Sequence, residues 1–158
     1  MLRSFIAFLF LVLLAPSALA QEAFLERVID GDSIRLVMND QNVEIRLIGI
    51  DAPEYRQEWS KAAKRFVVDF LTGRHIEVRF DKQRRDRYGR TLAYVYADTA
   101  MLNEALVRNG LALAYPIPPN LRHKVTLARA EAEARKARAG FWKQGGLRLT
   151  PREFRKLH

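Results

Sequence analysis

Three short segments carry side chains whose types and spacing suit phosphate chemistry. Asp30-Gly31-Asp32 and Asp51-Ala52-Pro53-Glu54 supply carboxylates, and Asp86-Arg87-Tyr88-Gly89-Arg90 ends in an arginine beyond a glycine turn. Arg46 lies between the two acidic segments. Carboxylates without nearby histidine or cysteine suit a hard cation that prefers oxygen ligands, such as calcium. Arginines beside such a cation suit a phosphate group undergoing reaction, so the pattern predicts a metal-dependent phosphodiesterase.

Each segment also has a simpler interpretation. The segment Asp30-Gly31-Asp32 could be a plain hairpin turn. The segment Asp51-Ala52-Pro53-Glu54 could be the end of a strand, where Pro53 stops the backbone hydrogen bonding and the acids are solvated. Arg46 could pair with a neighbouring acid, and Arg90 could be an ordinary solvated charge. The combination favours a site, because Asp32 and Asp51 border adjacent strands of one meander. Two bare carboxylates that approach each other repel unless a cation lies between them.

Hydrophobic periodicity predicts the elements that position these side chains. Period-two alternation indicates strands that include residues 33–38, 43–47, 76–80 and 91–97. Apolar residues at three- and four-residue steps indicate helices near residues 59–71, 101–107 and 125–139. Short strands interrupted by a helix after the third predict an α+β, mainly β, fold: a five-stranded OB-fold barrel with three α-helices. Loops at the mouth of such a barrel commonly bind oligonucleotides.

The two ends of the chain differ in character from its centre. Residues 1–20 combine a positive start, an apolar run and a small-x-small ending, which predicts a cleaved signal peptide; an uncleaved anchor is the alternative. Residues 21–146 then form one domain, and residues 147–158 a basic C-terminal tail to which we assign no regular structure. We expect export to the periplasm or the medium, without stable membrane association after signal removal.

Composition narrows the chemistry further. The chain has no cysteine, which excludes thiol nucleophiles, cysteine zinc sites and disulfides. Its three histidines are far apart and lack ligand spacing. The formal net charge of +9 has two interpretations. It could simply keep the protein soluble, or it could attract a polyanion such as nucleic acid or an acidic surface polymer.

The same motifs identify a family resemblance. From about Phe24 to Trp142 the chain resembles the staphylococcal nuclease (thermonuclease) family. The resemblance is carried by segments 28–33, 46–54 and 86–90, together with segments 92–98 and 103–110. It implies an OB-fold barrel with three helices and a calcium-dependent nuclease that cleaves DNA and RNA, single-stranded or locally opened, without sequence preference. The implied products carry 3′-phosphate ends, and we expect a monomer.

The resemblance also implies roles for individual residues. Asp32 and Asp51 would ligate calcium through their carboxylates, and Ala52 through its backbone carbonyl. The family usually carries threonine where Ala52 stands, but a carbonyl ligand tolerates that change. Glu54 would orient or deprotonate the attacking water.

The basic and aromatic residues complete the implied site. Arg46 and Arg90 would stabilise the charge that builds on the phosphorus in the transition state. Arg87 and Tyr88 stand where the family contacts a terminal phosphate, and Tyr115 where an aromatic ring packs on the nucleotide. These three are the expected substrate-binding residues.

Departures from the family pattern and rival functions remain. Ile117 stands where the best-known member has a second tyrosine, and the segment between Glu54 and Trp59 is short, which indicates that a long mobile loop is missing. A non-catalytic OB module that only binds nucleic acid or protein is the rival function, but degenerate domains typically lose the acids or the arginines. A basic exported binder of acidic polymers would leave the carboxylates without a role.

Overall fold

The computed structural model describes residues 21–158. The predicted signal peptide, residues 1–20, lies outside the described residues. This described part of the chain contains eight strands: β1 (Gln21–Val28), β2 (Ser33–Met38), β3 (Gln41–Leu47), β4 (Ile50–Asp51), β5 (Ile76–Arg79), β6 (Thr91–Ala97), β7 (Ala100–Met101) and β8 (Leu113–Ala114). Four α-helices accompany them: α1 (Ser60–Leu71), α2 (Leu102–Arg108), α3 (Lys124–Lys136) and α4 (Pro151–Leu157).

The long strands close into a five-stranded barrel, as predicted. Neighbouring strands pair in the order β3-β2-β1-β5-β6, and a parallel pairing between β3 and β6 closes the ring. All other pairings in the ring are antiparallel. Closure leaves no open sheet edge along these strands, which is the usual advantage of a barrel. The OB-type fold class is therefore confirmed.

Alternation along β2 and β3 builds the barrel core. Ile34, Leu36, Ile45 and Leu47 are at most 1% exposed, whereas Arg35 between them points outward and pairs with Glu44 and Glu26. Because side chains of successive strand residues point to opposite faces, this pattern sets the pairing register. Ser33 consequently lies opposite Arg46, which places Arg46 beside the end of the first acidic turn.

The three predicted helices are confirmed, and a fourth is added. Helix α4 lies inside residues 147–158, which sequence analysis assigned to a tail without regular structure. Its start carries a complete capping box, in which Thr150 accepts from the Glu153 backbone N–H and Glu153 accepts from the Thr150 backbone N–H. Pro151 occupies the first helical turn, where its missing N–H costs nothing. No helix among residues 21–158 is long and apolar enough to cross a membrane.

Asn103 at the start of α2 connects this helix to two parts of the barrel. Its fully buried side chain accepts from the Val95 backbone N–H at 3.1 Å and donates to the Ile48 carbonyl at 2.8 Å. The Ile48 backbone lies next to the turn that leads into β4. Asn103 therefore supports the segment that carries Asp51.

We expect Asn103→Ala to lower the free energy of unfolding by about 3 kcal/mol, because it leaves a buried N–H and a buried carbonyl without partners. Chemical denaturation measures this directly. Asn109→Ala is the matched control, since its exposed side chain bonds only to Ala105 within the same helical turn, at 2.8 Å. The control should change stability by no more than about 0.5 kcal/mol. Equal losses in both variants would contradict the bridging role of Asn103.

Candidate active site

A cavity of about 1020 Å³ opens at one end of the barrel. Its walls come from the β1–β2 turn, the end of β3, the turn into β4, the loop before β6, the segment after β8, and α4. We call it the barrel-mouth cavity. Asp32, Arg46, Asp51, Glu54 and Arg90 all line it. The fold therefore brings the three predicted chemical segments together in one place.

The first acidic turn is packed tightly against the second acidic segment. A Cβ atom on Gly31 would lie 2.7 Å from the Ala52 Cβ and 2.8 Å from the Ala63 Cβ, so only glycine fits at this position. The close approach lets the Asp32 Oδ2 atom accept from the Ala52 backbone N–H at 2.6 Å. The Asp32 carbonyl also accepts from the Leu47 backbone N–H at 2.9 Å. Asp32 is consequently fixed from both sides.

The turn after β3 reverses the chain and returns Asp51 to the same place. Gly49 adopts a φ of +77° in this turn, a backbone conformation that favours glycine. Its carbonyl accepts from the Tyr115 backbone N–H at 2.7 Å, and β4 pairs with β8. Asp51 follows directly and is only 2% exposed. Two carboxylates from segments about 20 residues apart thus become neighbours.

Burial dominates the acid–base behaviour of Asp32. Desolvation raises the pKa of its carboxyl to about 7, although Arg46 acts in the opposite direction. The nearby carboxylates of Asp30 and Asp51 raise this pKa further, whereas the Ala52 N–H lowers it. A buried carboxylate beside other acids is an environment that favours additional positive charge.

Arg46 is fastened between the two carboxylates. Its Nη2 atom lies 3.1 Å from the Asp32 Oδ2 atom and 3.3 Å from the Asp51 Oδ1 atom. Its Nη1 atom donates to the carbonyls of Leu47 at 2.8 Å and Ile50 at 3.0 Å. With four partners and an exposed fraction of 15%, this guanidinium has little freedom to move.

Arg90 enters the cavity from the loop before β6 and is held by Asp86. The Arg90 Nε atom donates to the Asp86 Oδ2 atom at 2.8 Å, and the backbone N–H groups of Tyr88 and Arg90 donate to Asp86 Oδ1 at 2.9 and 3.0 Å. Burial alone would raise the pKa of Asp86, but these hydrogen bonds hold it below its usual value. Asp86 therefore stays ionised and orients the Arg90 guanidinium.

The expected substrate-binding residues lie around the rim of the same cavity. Tyr88 is 68% exposed, and the Arg87 Nη2 atom donates to its hydroxyl at 2.6 Å. Tyr115 lines the cavity beside Ile117, which is 58% exposed. An exposed aromatic ring beside a guanidinium can stack on a base and bind a phosphate. The rim thus offers both kinds of contact.

The oxygen atoms that Asp32, Asp51 and Ala52 offer at the start of β2 and the end of β4 suit a hard divalent cation. Asp32 and Asp51 offer buried carboxylates, and Ala52 adds a backbone carbonyl, so all three donors are oxygen atoms, which calcium prefers. Within residues 21–158 no group of three or more histidine, cysteine, aspartate or glutamate side chains is arranged to hold a metal. Calcium accepts a carbonyl and several waters among its six to eight ligands, so two carboxylates can suffice.

The site also contains Arg155 on α4, a residue that no sequence pattern assigned to it. Its Nη1 and Nη2 atoms lie 3.0 and 3.1 Å from the two carboxylate oxygens of Asp51, and Nη1 also contacts the Glu54 Oε1 atom. These partners raise the pKa of Arg155 above its already high value. The capping signal Thr150-Pro151-x-Glu153 could have indicated the helix, but nothing local indicates its partners.

Comparisons with known proteins show which proteins the chain is similar to. Residues 44–144 match the family described as staphylococcal nuclease homologues. The chain is 38% identical over 125 residues to a thermonuclease from Staphylococcus intermedius, covering 75% of this chain and 74% of the relative. It is 38% identical over 122 residues to a thermonuclease from Staphylococcus hyicus, covering 73% and 72%. It is 33% identical over 130 residues to the endonuclease YncB of Bacillus subtilis (strain 168), covering 77% and 62%.

Proposed function

The chain belongs to the staphylococcal nuclease homologue family, and from this premise we propose that it is a calcium-dependent nuclease that hydrolyses phosphodiester bonds of DNA and RNA. One observation carries the proposal: Asp32, Arg46, Asp51, Glu54 and Arg90 line a single cavity. A module that only binds nucleic acid has no need for two buried carboxylates beside two fixed guanidinium groups.

The main requirement of the reaction is positive charge at the phosphate, because a phosphodiester is anionic and repels hydroxide. Arg46 and Arg90 both line the cavity. The described side-chain hydrogen bond of Arg90 uses Nε, so its two terminal nitrogens can bind phosphate oxygens in fork geometry. The terminal nitrogens of Arg46 already have partners, so Arg46 contributes its charge and its Nε–H. The partners of the two arginines hold both side chains in place, so little reorganisation is needed when substrate binds. Calcium, held by Asp32, Asp51 and the Ala52 carbonyl, would add further positive charge beside the same phosphate.

Glu54 is the proton acceptor in this proposal. It follows the buried Asp51 and lies at the edge of the cavity with 31% of its side chain exposed, so water can reach it. Its backbone N–H donates to the Gln57 Oε1 atom at 3.0 Å, which fixes the loop that carries it. Glu54 would take a proton from the attacking water as the water oxygen bonds to phosphorus. The bond between phosphorus and the 5′ oxygen would break, and the 5′ oxygen would take up a proton from solvent to leave as a hydroxyl. The products would then carry 3′-phosphate ends.

The residues at the rim of the cavity would bind the nucleic-acid substrate. Arg87 and Tyr88 would contact a terminal phosphate, and Tyr115 would pack on a nucleotide, which favours single-stranded or locally opened nucleic acid. The net charge of +9 attracts phosphates without reading sequence. We further propose that the protein acts as a monomer and is exported, to the periplasm or the medium, after removal of residues 1–20.

The test is hydrolysis of labelled DNA and RNA by the purified protein, with calcium and then with a chelator. We expect cleavage in calcium and none above background in chelator. Products should resist extension by a DNA polymerase until a phosphatase removes the 3′ phosphate. A folded protein that binds DNA in calcium without cleaving it would contradict the proposal and indicate a binding module instead.

A further inference from the structure

Helix α4 places a cation on the carboxylates that the proposed function assigns to calcium and to proton transfer. Arg155 binds both oxygens of Asp51, at 3.0 and 3.1 Å, and also contacts Glu54. The Asp51 Oδ1 atom already lies 3.3 Å from Arg46. A carboxylate offers about four lone-pair positions, so the two arginines occupy most of those on Asp51.

The segment that leads to α4 is attached to the loop before α1. The Gln57 Nε2 atom donates to the Leu149 carbonyl at 2.6 Å, and the Arg148 backbone N–H donates to the Glu58 Oε1 atom at 2.7 Å. Gln57 also accepts from the Glu54 backbone N–H, so the same side chain supports Glu54 and the approach to α4. These hydrogen bonds hold the segment before α4 in place, so that Arg155 lies at the cavity.

The two arginines on Asp51 differ in how easily they can leave. Arg46 is 15% exposed and has two carbonyl partners besides the carboxylates. The side chain of Arg155 is 42% exposed, and its described partners are Asp51 and Glu54 alone. Of the two guanidinium groups, that of Arg155 has more contact with water and fewer fixed partners, so it is the easier one to rehydrate. A divalent cation approaching Asp51 would therefore displace Arg155 rather than Arg46.

We propose that Arg155 is an internal counter-cation that competes with calcium for Asp51, so that α4 covers the site until the metal displaces it. This inference rests on the proposed function, because it takes Asp51 as a calcium ligand. Without calcium, Arg155 balances the charge of Asp51 and its Nη1 atom contacts the Glu54 carboxylate. This contact makes Glu54 a poor proton acceptor, because the guanidinium stabilises the ionised carboxylate. With calcium, both carboxylates become free for their proposed roles.

Calcium titration calorimetry on the purified protein and its Arg155→Gln variant tests the competition. We expect the dissociation constant for Ca²⁺ to fall about tenfold in Arg155→Gln, because the metal no longer has to displace a bound guanidinium. Arg152→Gln is the matched control: Arg152 lies on the same helix, lines the same cavity and carries the same charge. Its dissociation constant should change by no more than about twofold.

Hydrogen exchange gives a second readout that does not depend on activity or on a variant. In the wild-type protein, saturating Ca²⁺ should speed amide exchange in residues 151–157 while leaving amide exchange in β2 and β3 unchanged.

The Arg155→Lys variant keeps the positive charge but loses the two-pronged guanidinium, so its calcium affinity should fall between those of the wild type and Arg155→Gln. Thermal melting in chelator checks that each variant is folded.

The possible failures are distinguishable. Equal calcium affinity in the wild type and Arg155→Gln would overturn the competition and leave the proposed nuclease intact. Weaker affinity in Arg155→Gln would also overturn it, since Arg155 would then support the metal ligands. Absence of calcium binding in every folded variant would overturn both this inference and the metal dependence of the proposed function.

Discussion

Replacing Arg90 with glutamine is expected to lower kcat by about 100-fold or more while leaving the fold unchanged. Arg90 supplies a fixed guanidinium in the same cavity as Arg46, and the removal of one preoriented charge of this kind typically costs about 10²- to 10³-fold in rate. Its Nε atom is held by Asp86 at 2.8 Å, so its orientation is set in advance of substrate binding. Single-turnover cleavage of DNA at saturating calcium measures the effect on the chemical step.

Arg85→Gln is the control for Arg90→Gln. Arg85 belongs to the same loop and carries the same charge, but it is exposed and donates to the Gly89 carbonyl at 3.2 Å. A change at Arg85 should weaken substrate binding only slightly, through the loss of general attraction to phosphates. Similar losses of kcat in both variants would show that Arg90 contributes general charge and does not act at the reacting phosphate. Arg46 is less suitable for this test, since its loss would also remove the ion-pair partner of Asp32 and leave Asp51 with Arg155 alone.

The second large effect is expected from Glu54→Gln, which should lower kcat by about 10²- to 10⁴-fold. Glutamine keeps the size of the side chain but cannot accept a proton from water at neutral pH. The backbone N–H of residue 54 can still donate to Gln57, so the loop should keep its position. Cleavage assays at saturating calcium, with calorimetry of calcium binding on the same samples, separate a loss of chemistry from a loss of metal.

Glu58→Gln provides the comparison for Glu54→Gln. Glu58 lies four residues further along and interacts with Arg148 and Gln144 at the surface. Its neutralisation should change kcat by less than about threefold, because Glu58 contacts no group of the proposed reaction and glutamine can still accept from the Arg148 backbone N–H that helps to hold α4. If Glu54→Gln retained nearly full turnover with normal calcium binding, Glu54 could not be the proton acceptor, and another base would have to be sought in the cavity.

Local sequence patterns determined most of the secondary structure. The alternation of Ile34 and Leu36 with Arg35, and the helical spacing of Ala63, Val67 and Leu71, are properties of residues close in the chain. Such patterns depend only on which face of an element is buried, so β2, β3, β5, β6 and the helices α1, α2 and α3 could be predicted. The first strand, β1, and the two-residue strands β4, β7 and β8 were not assigned from these patterns. The parallel β3–β6 pairing that closes the barrel could be expected only from the overall fold type, because its partners are distant in sequence.

The chemical content of the site was also readable from the sequence. Asp32, Arg46, Asp51, Glu54 and Arg90 stand at element ends, where a barrel brings loops together, so their residue types and order were enough to indicate the chemistry. The hydrogen-bond partners of these residues were harder to predict from the sequence. Nothing in the spacing of Arg90 and Asp86 shows that Asp86 also accepts two backbone N–H groups.

Arg155 is the residue whose role depends entirely on how the chain folds. It lies 104 residues from Asp51 in a basic segment that resembles any solvated chain end. A charged side chain carries no local signal of its partner, since an ion pair forms wherever folding places two opposite charges. Residue types and their order indicated which groups we propose to hold calcium and to activate water. Only the tertiary structure, in which Gln57 and Glu58 hold the segment before α4, brings the Arg155 guanidinium to Asp51.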